Sequence, residues 1–188
     1  LELRGPSQIL RDVVFDPSER WMATSNDTEI ALWPLGEGYP RSMGRHEWFV
    51  DDVAFTPDGR RVVSASAYED GTLRTWPLSA EDADGERILL RHVLDDPRIA
   101  VDPRGDRVAV SADDGPVFVM PLEGGTARRL EGFSARTDWA TSLAFSPDGR
   151  LLAAAPLWGP PEEKVIRGWD LESGACHVLG PLPGAGEG

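Results

Sequence analysis

Val53-Ala54-Phe55-Thr56-Pro57-Asp58-Gly59 decides the fold, because the chain carries the same pattern four times. The related stretches are Val13-Val14-Phe15-Asp16-Pro17-Ser18, Ile99-Ala100-Val101-Asp102-Pro103-Arg104-Gly105 and Leu143-Ala144-Phe145-Ser146-Pro147-Asp148-Gly149. Their anchors Phe15, Phe55, Val101 and Phe145 stand 40, 46 and 44 residues apart. A second motif follows each: Leu32-Trp33-Pro34-Leu35, Thr75-Trp76-Pro77-Leu78, Val119-Met120-Pro121-Leu122 and Gly168-Trp169-Asp170-Leu171. Two motifs recurring four times in one order define an internal repeat.

Within a unit the residues read as strand, turn, strand. In the second unit, Val53-Ala54-Phe55 is a short apolar run suited to a strand covered on both faces. Thr56-Pro57-Asp58-Gly59 then turns the chain: proline presets φ, and glycine takes the position where φ is positive. Residues 61–66 form a second strand, Glu69-Asp70-Gly71 a second turn, and 72–76 a third strand rich in β-branched and aromatic residues. Arg87-Ile88-Leu89-Leu90 supplies a fourth, more solvated strand. No segment keeps a 3.6-residue apolar period, so helix content near zero is expected. Four antiparallel strands per unit make one blade of a β-propeller. The expected fold is therefore all-β, with four four-stranded blades in an open arc or part of a larger ring.

Composition narrows the function. The chain has 188 residues, is 40% hydrophobic and 27% charged, and can bury a core. Its 19 basic and 32 acidic residues leave a net charge of −13, and no basic stripe is visible, which argues against a nucleic-acid partner. The longest apolar run, Leu151 to Leu157, is broken by Pro156 and cannot span a membrane as a helix. One cysteine predicts a reducing compartment, the cytoplasm, or indifference to redox.

From Gly44-Arg45-His46 through Val53–Gly59, Ser64-Ala65-Ser66 and Asp70-Gly71 to Trp76, the second unit resembles a WD40 repeat. The resemblance covers residues 6 to 180. The Ser-Pro-Asp-Gly-Arg turn at 146–150, and Trp-Pro-Leu in place of the usual Trp-Asp, look bacterial. WD40 blades often bury a hydrogen-bonded His-Ser/Thr-Asp-Trp tetrad. The resemblance assigns it to His46, Ser66 (or Ser64), Asp70 and Trp76, with partial sets at Ser25, Asp27 and Trp33, at His92, Ser111 and Asp113 (or Asp114), and at Trp169. The second unit is thus expected to be the most tightly specified.

His46, Ser66 and Asp70 could also be read as a catalytic triad. The same spacing recurs around His92, however, and no Gly-x-Ser-x-Gly elbow is present, so a structural role is expected and no catalytic centre. Adjacent Cys176 and His177 are poorly placed to ligate one metal ion together. Asp51-Asp52, Asp95-Asp96 and Asp113-Asp114 lack calcium-loop spacing and read as solvated turns. No cofactor or metal is expected. Trp48, Phe49, Tyr68, Asp138, Trp139 and Trp158 fall in connections between strands and are candidate partner-binding residues, with local packing as the alternative.

The sequence predicts one propeller segment over 1–188, with repeats at about 6–44, 45–90, 91–131 and 132–180. Residues 1–5 read as an outer strand left over from a preceding blade and 181–188 as a flexible tail. That surplus strand, with the start at Leu1, predicts an excised piece of a larger protein whose terminal blades are uncovered and open to self-association. The expected role is a non-catalytic protein-interaction scaffold for a partner with a basic face. Alternatives are the regulatory or sensor tail of a bacterial kinase or NTPase, and an accessory propeller of the TolB or peptidase type.

Overall fold

The computed structural model describes residues 10–79, 85–91, 96–111, 116–132, 140–156 and 165–179. These form sixteen strands and, among the described residues, no helix. The first unit holds β1 (Leu10–Phe15), β2 (Trp21–Asn26), β3 (Glu29–Pro34) and β4 (Arg41–Arg45). The second holds β5 (Val50–Phe55), β6 (Arg61–Ser66), β7 (Thr72–Pro77) and β8 (Arg87–Arg91). The third comprises β9 (Ile99–Val101), β10 (Arg107–Ser111), β11 (Val117–Pro121) and β12 (Arg128–Leu130). The fourth comprises β13 (Ala140–Phe145), β14 (Leu151–Pro156), β15 (Ile166–Asp170) and β16 (Cys176–Leu179). Each unit is a separate antiparallel sheet with its strands in chain order.

One register recurs in all four blades. Phe15, Phe55, Val101 and Phe145 pair with Met22, Val62, Val108 and Leu152. Those residues pair in turn with Trp33, Trp76, Met120 and Trp169. The turn motif sets this register. In the second blade the Gly59 amide donates to the Thr56 carbonyl at 2.8 Å, and Gly59 takes φ +65°. The Thr56 hydroxyl accepts the Arg61 amide at 3.0 Å. In the fourth blade Asp170 ties the third strand back to this turn, its carboxylate accepting from Arg150 at 2.7 and 2.9 Å. The Ser173 amide and Arg150 push its carboxyl down to about 2.

Blades stack face to face through three apolar layers. Ala23, Ile30 and Leu32 of the first meet Val53, Phe55, Val62 and Trp76 of the second. Val63, Ala65 and Leu73 meet Val108, Val110 and Met120. Ala109, Val117 and Val119 meet Leu152, Ala154 and Trp169. The sheets form an open arc rather than a closed ring, and each end offers apolar side chains to solvent: Val13 and Phe15 on β1, Leu151 and Ile166 on the fourth blade.

Candidate functional site

The second blade contains a continuous polar network in its core. The Trp76 indole Nε1 donates to the Ser64 hydroxyl at 2.7 Å. Ser64 Oγ lies 2.7 Å from His46 Nε2, and His46 Nδ1 lies 2.9 Å from Asp70 Oδ1. A carboxylate at Nδ1 calls for the proton there, which leaves Nε2 to accept from Ser64. Donation therefore runs one way, from Trp76 through Ser64 and His46 to Asp70. Burial pushes His46 below the ordinary histidine value, more than Asp70 pulls it up, so it is neutral near pH 7. Burial opposes charge on Asp70 as well. The Glu47 amide, Thr72 and His46 outweigh it and hold that carboxyl below the usual range, with Arg74 pairing at 2.8 Å.

Of the two serines that the sequence left open, Ser66 or Ser64, the one in the network is Ser64 and not Ser66. Both lie on the face that Trp76 occupies, but Ser66 is two residues further along β6, roughly 7 Å. Its hydroxyl is buried without a partner among the described residues. In the first blade the Trp33 indole donates to Thr24 at 2.9 Å, not to the expected Ser25. Ser25 is one residue on, so the strand pleat turns it to the opposite face. Asp27 takes a turn position with φ +38°, and its carbonyl accepts the Val50 amide at 2.7 Å.

The third blade abandons the polar solution. Val110 stands where Ser64 would and packs in one core layer with Met120, which replaces the tryptophan. Ser111 faces away, and its hydroxyl accepts the Arg98 amide at 3.0 Å. In the fourth blade Ala154 occupies the serine position, and Trp169 donates instead to the Glu131 carbonyl at 2.7 Å. A buried indole N–H needs an acceptor. At this position of the four blades the chain meets that need with a serine, a threonine or a backbone carbonyl, or removes the indole. His92 and Asp113 lie outside the described residues.

Ser64 is 0% exposed, so its hydroxyl is closed to any substrate. Among the described residues no group of three His, Cys, Asp or Glu could hold a metal ion.

Above the network, the connections into β5 and between β6 and β7 bring aromatic rings together. Trp48 packs edge-to-face on Phe49 at 5.3 Å and on Tyr68 at 6.2 Å. Arg11 of the first blade sits 4.6 Å over the Phe49 ring and pairs with Asp51 at 2.6 Å. Trp48 Nε1 is buried with no acceptor among the described residues. Tyr68 is 60% exposed and held at φ +50°, a left-handed conformation that a bulky side chain disfavours. Exposed Glu47 and Glu69 flank this patch in sequence. Three of the sequence candidates, Trp48, Phe49 and Tyr68, are thus brought together. Asp138, Trp139 and Trp158 lie outside the described residues, as do residues 1–9 and 180–188.

Asp51 and Asp52 are not turn residues, contrary to expectation: both lie within β5. Asp52 Oδ2 accepts the Ile99 amide of the third blade at 2.8 Å, and Asp12 Oδ2 accepts the Val53 amide of the second at 3.1 Å. These carboxylates pin the first inner strand to the second and the second to the third. Burial and the neighbouring Asp12 push Asp52 up to about 7, against the Ile99 hydrogen bond. Asp95, Asp113 and Asp114 are outside the described residues; Asp96 pairs with Arg98 at 3.0 Å.

The profile of the family described as "WD domain, G-beta repeat" matches residues 1–34, 39–77 and 127–170. Most of the third blade, where Val110 and Met120 replace the polar pair, falls between the matched segments. The chain is 25% identical over 175 residues to nuclear distribution protein PAC1-2 of Uncinocarpus reesii, covering 84% of this chain and 37% of that protein. It is 27% identical over 176 residues to a periodic tryptophan protein 2 homolog of Dictyostelium discoideum, covering 89% and 19%. It is 28% identical over 144 residues to WD repeat-containing protein 36 of Homo sapiens, covering 73% and 14%. The chain spans little more than a third of PAC1-2 and less of the other two. These relatives are eukaryotic and lend no support to a bacterial origin.

Proposed function

The chain belongs to the WD domain, G-beta repeat family, and on that premise we propose that it is a non-catalytic protein-interaction scaffold whose second blade presents the Trp48–Phe49–Tyr68 patch to a partner. The observation that carries this reading is Tyr68: an aromatic ring kept largely in solvent, on a left-handed backbone, in the connection between β6 and β7 of the blade that holds the hydrogen-bonded network. Strain of this kind costs about 1–3 kcal/mol and is held only where the surroundings determine it. Aromatic anchors on a rigid scaffold lose little entropy when they bind.

The partner suited to this patch carries apolar and basic side chains together. Glu47 and Glu69 are exposed beside the rings, and the net charge of −13 speeds encounter with a cationic surface. The single cysteine, Cys176, is exposed and unpaired, which supports the cytoplasm as its compartment. Selection of a random peptide library on the intact chain tests the reading. Peptides rich in arginine or lysine and leucine or aromatic residues are expected, and their binding is expected to fall at least about tenfold on Tyr68→Ala. Enriched peptides that bind Tyr68→Ala as well as the parent would overturn it.

A further inference from the structure

One position recurs in the turn between the first two strands of every blade, as Arg20, Arg60, Asp106 and Arg150. Its carbonyl accepts the amide of the leucine that follows the third strand, Leu35, Leu78, Leu122 and Leu171 respectively. The residue before that leucine is Asp170 in the fourth blade and a proline in the others, Pro34, Pro77 and Pro121. Asp170 holds Arg150 through two hydrogen bonds, at 2.7 and 2.9 Å. Proline offers no carboxylate, so Arg20 and Arg60 lack that partner. Arg20 makes no ion pair among the described residues, and its Nε donates within its own turn to Ser18 Oγ at 2.9 Å. The Arg60 side chain is 80% exposed and, among the described residues, pairs only with Asp58, at 4.0 Å.

Both arginines line one open pocket of about 360 Å³ together with Trp21 and Leu78. Those two apolar side chains are half-buried and rest on the core layer between the first and second blades. Arg41 donates to the Leu78 carbonyl and brings a third cation to the same edge. The acids of the adjoining turns are engaged within them. Asp16 accepts the Arg20 and Trp21 amides at 2.7 and 2.6 Å, and Asp58 accepts the Thr56 hydroxyl and the Arg60 amide at 2.6 and 3.0 Å. A corresponding pocket of about 270 Å³ between the third and fourth blades also holds arginines. There, however, Arg107 is paired with buried Asp102 at 2.6 Å and Arg150 with Asp170 at 2.7 Å.

We propose that the pocket between the first two blades binds an acidic segment of a protein partner, its carboxylates pairing with Arg20 and Arg60 and an adjacent apolar side chain packing on Trp21 and Leu78. The fourth blade supplies the precedent, because there the arginine at this position takes a carboxylate. Guanidinium groups match carboxylates in shape and charge. The partner thus provides from outside what Asp170 provides within the chain. The pocket lies at the opposite end of β5 and β6 from the Trp48–Phe49–Tyr68 patch, roughly 20 Å away, and selects ligands of the opposite charge. The net charge of −13 opposes an acidic ligand at long range, so a dissociation constant on the order of 0.1 mM is expected, too weak to be retained in a library selected on the aromatic patch.

Fluorescence anisotropy tests this, with a labelled decapeptide of alternating glutamate and glycine around a central leucine titrated with the intact chain at low salt. Binding is expected for this peptide and not for its glutamine counterpart. Arg20→Gln and Arg60→Gln are each expected to weaken it at least about tenfold, with circular dichroism unchanged. Pro77→Asp restores the carboxylate of the fourth blade, which then pairs with Arg60, and is expected to weaken binding as much. Should one variant fail to fold, the others carry the test. Tyr68→Ala is expected to bind the glutamate peptide as the parent does, which separates this site from the aromatic patch. No binding at millimolar chain, binding indifferent to the Arg20, Arg60 and Pro77 variants, equal binding of the glutamine peptide, or binding of a phosphoserine version alone would each overturn the proposal. So would binding that emerges only when Glu81, Asp82 and Asp84 are neutralised, which would make the chain's own acidic segment the occupant.

Discussion

The Ser64 hydroxyl lies 2.7 Å from the Trp76 indole nitrogen and joins that tryptophan to His46 in the hydrogen-bonded chain. A serine offers one donor and two acceptor sites. It can accept from the indole and donate to His46 Nε2 at once, which no apolar residue can do. The blade's polar core therefore depends on a single side chain.

Ser64→Ala leaves a buried indole N–H and a buried imidazole nitrogen without partners, and is expected to cost about 1–3 kcal/mol. Ser66→Ala removes a buried hydroxyl that has no partner among the described residues and is expected to leave stability unchanged or raised. Trp76→Ala, which also empties core volume, is expected to cost about 3–5 kcal/mol. Urea midpoints of the three variants check the order; equal losses from Ser64→Ala and Ser66→Ala would contradict the assignment.

Gly44 is required by contact rather than by backbone angle. A Cβ at that position would lie 2.0 Å from Cζ3 of the Trp76 ring. Gly44→Ala is expected to destabilise by about 1–3 kcal/mol, because overpacking forces the ring or β4 to shift. Near-ultraviolet circular dichroism should report the displaced indole, and an unchanged spectrum and melting temperature would refute the contact.

Much of this was legible in the letters. The four Phe/Val anchors and the Trp/Met motifs located four sheets because a turn of constant length joins the first two strands of every blade. That same constancy decides between Ser64 and Ser66 and locates the equivalent position in the other blades. Counting nine residues on from Phe15, Phe55, Val101 and Phe145 gives Thr24, Ser64, Val110 and Ala154. Motif-matching the serines themselves left Ser64 open beside Ser66 and pointed to Ser25 and Ser111; the strand pleat and step length place Ser66, Ser25 and Ser111 elsewhere. Asp51 and Asp52 looked like turn residues since paired acids favour solvent; their burial in β5 depends on acceptor needs of the next blade, which no local pattern displays. The proximity of Arg11 to Phe49 is likewise a property of blade stacking alone.

Asp52 makes stability depend on pH in an unusual direction. Its folded-state value of about 7 lies above the ordinary carboxyl value, so the folded chain holds a proton between about pH 4 and 7 that the unfolded chain has released. That contribution is full below the unfolded value and is lost as pH rises through about 7. His46 has the opposite sign, since its lowered value makes stability fall as pH drops below the unfolded histidine value of about 6.5. Asp52→Asn keeps an acceptor for the Ile99 amide, and is expected to abolish the loss of stability between pH 5 and 8. Melting temperatures across that range check it; an unaltered slope would contradict the assignment.

Tyr68→Gly separates strain from binding. Glycine accepts φ +50° without the side-chain penalty, so stability is expected to hold or rise by up to about 1 kcal/mol. Peptide binding is expected to fall at least about tenfold with the loss of the ring. A variant that loses stability would show that Tyr68 serves packing instead.

The most direct measurement is amide hydrogen exchange on the intact chain, with and without a library-selected peptide. Slowed exchange at residues 46–49 and 67–70, absent in Tyr68→Ala, is the expected result. Protection confined to the Pro-Asp-Gly turn at 56–59 or to other blades, or the same footprint in Tyr68→Ala, would contradict an interaction scaffold centred on the second blade.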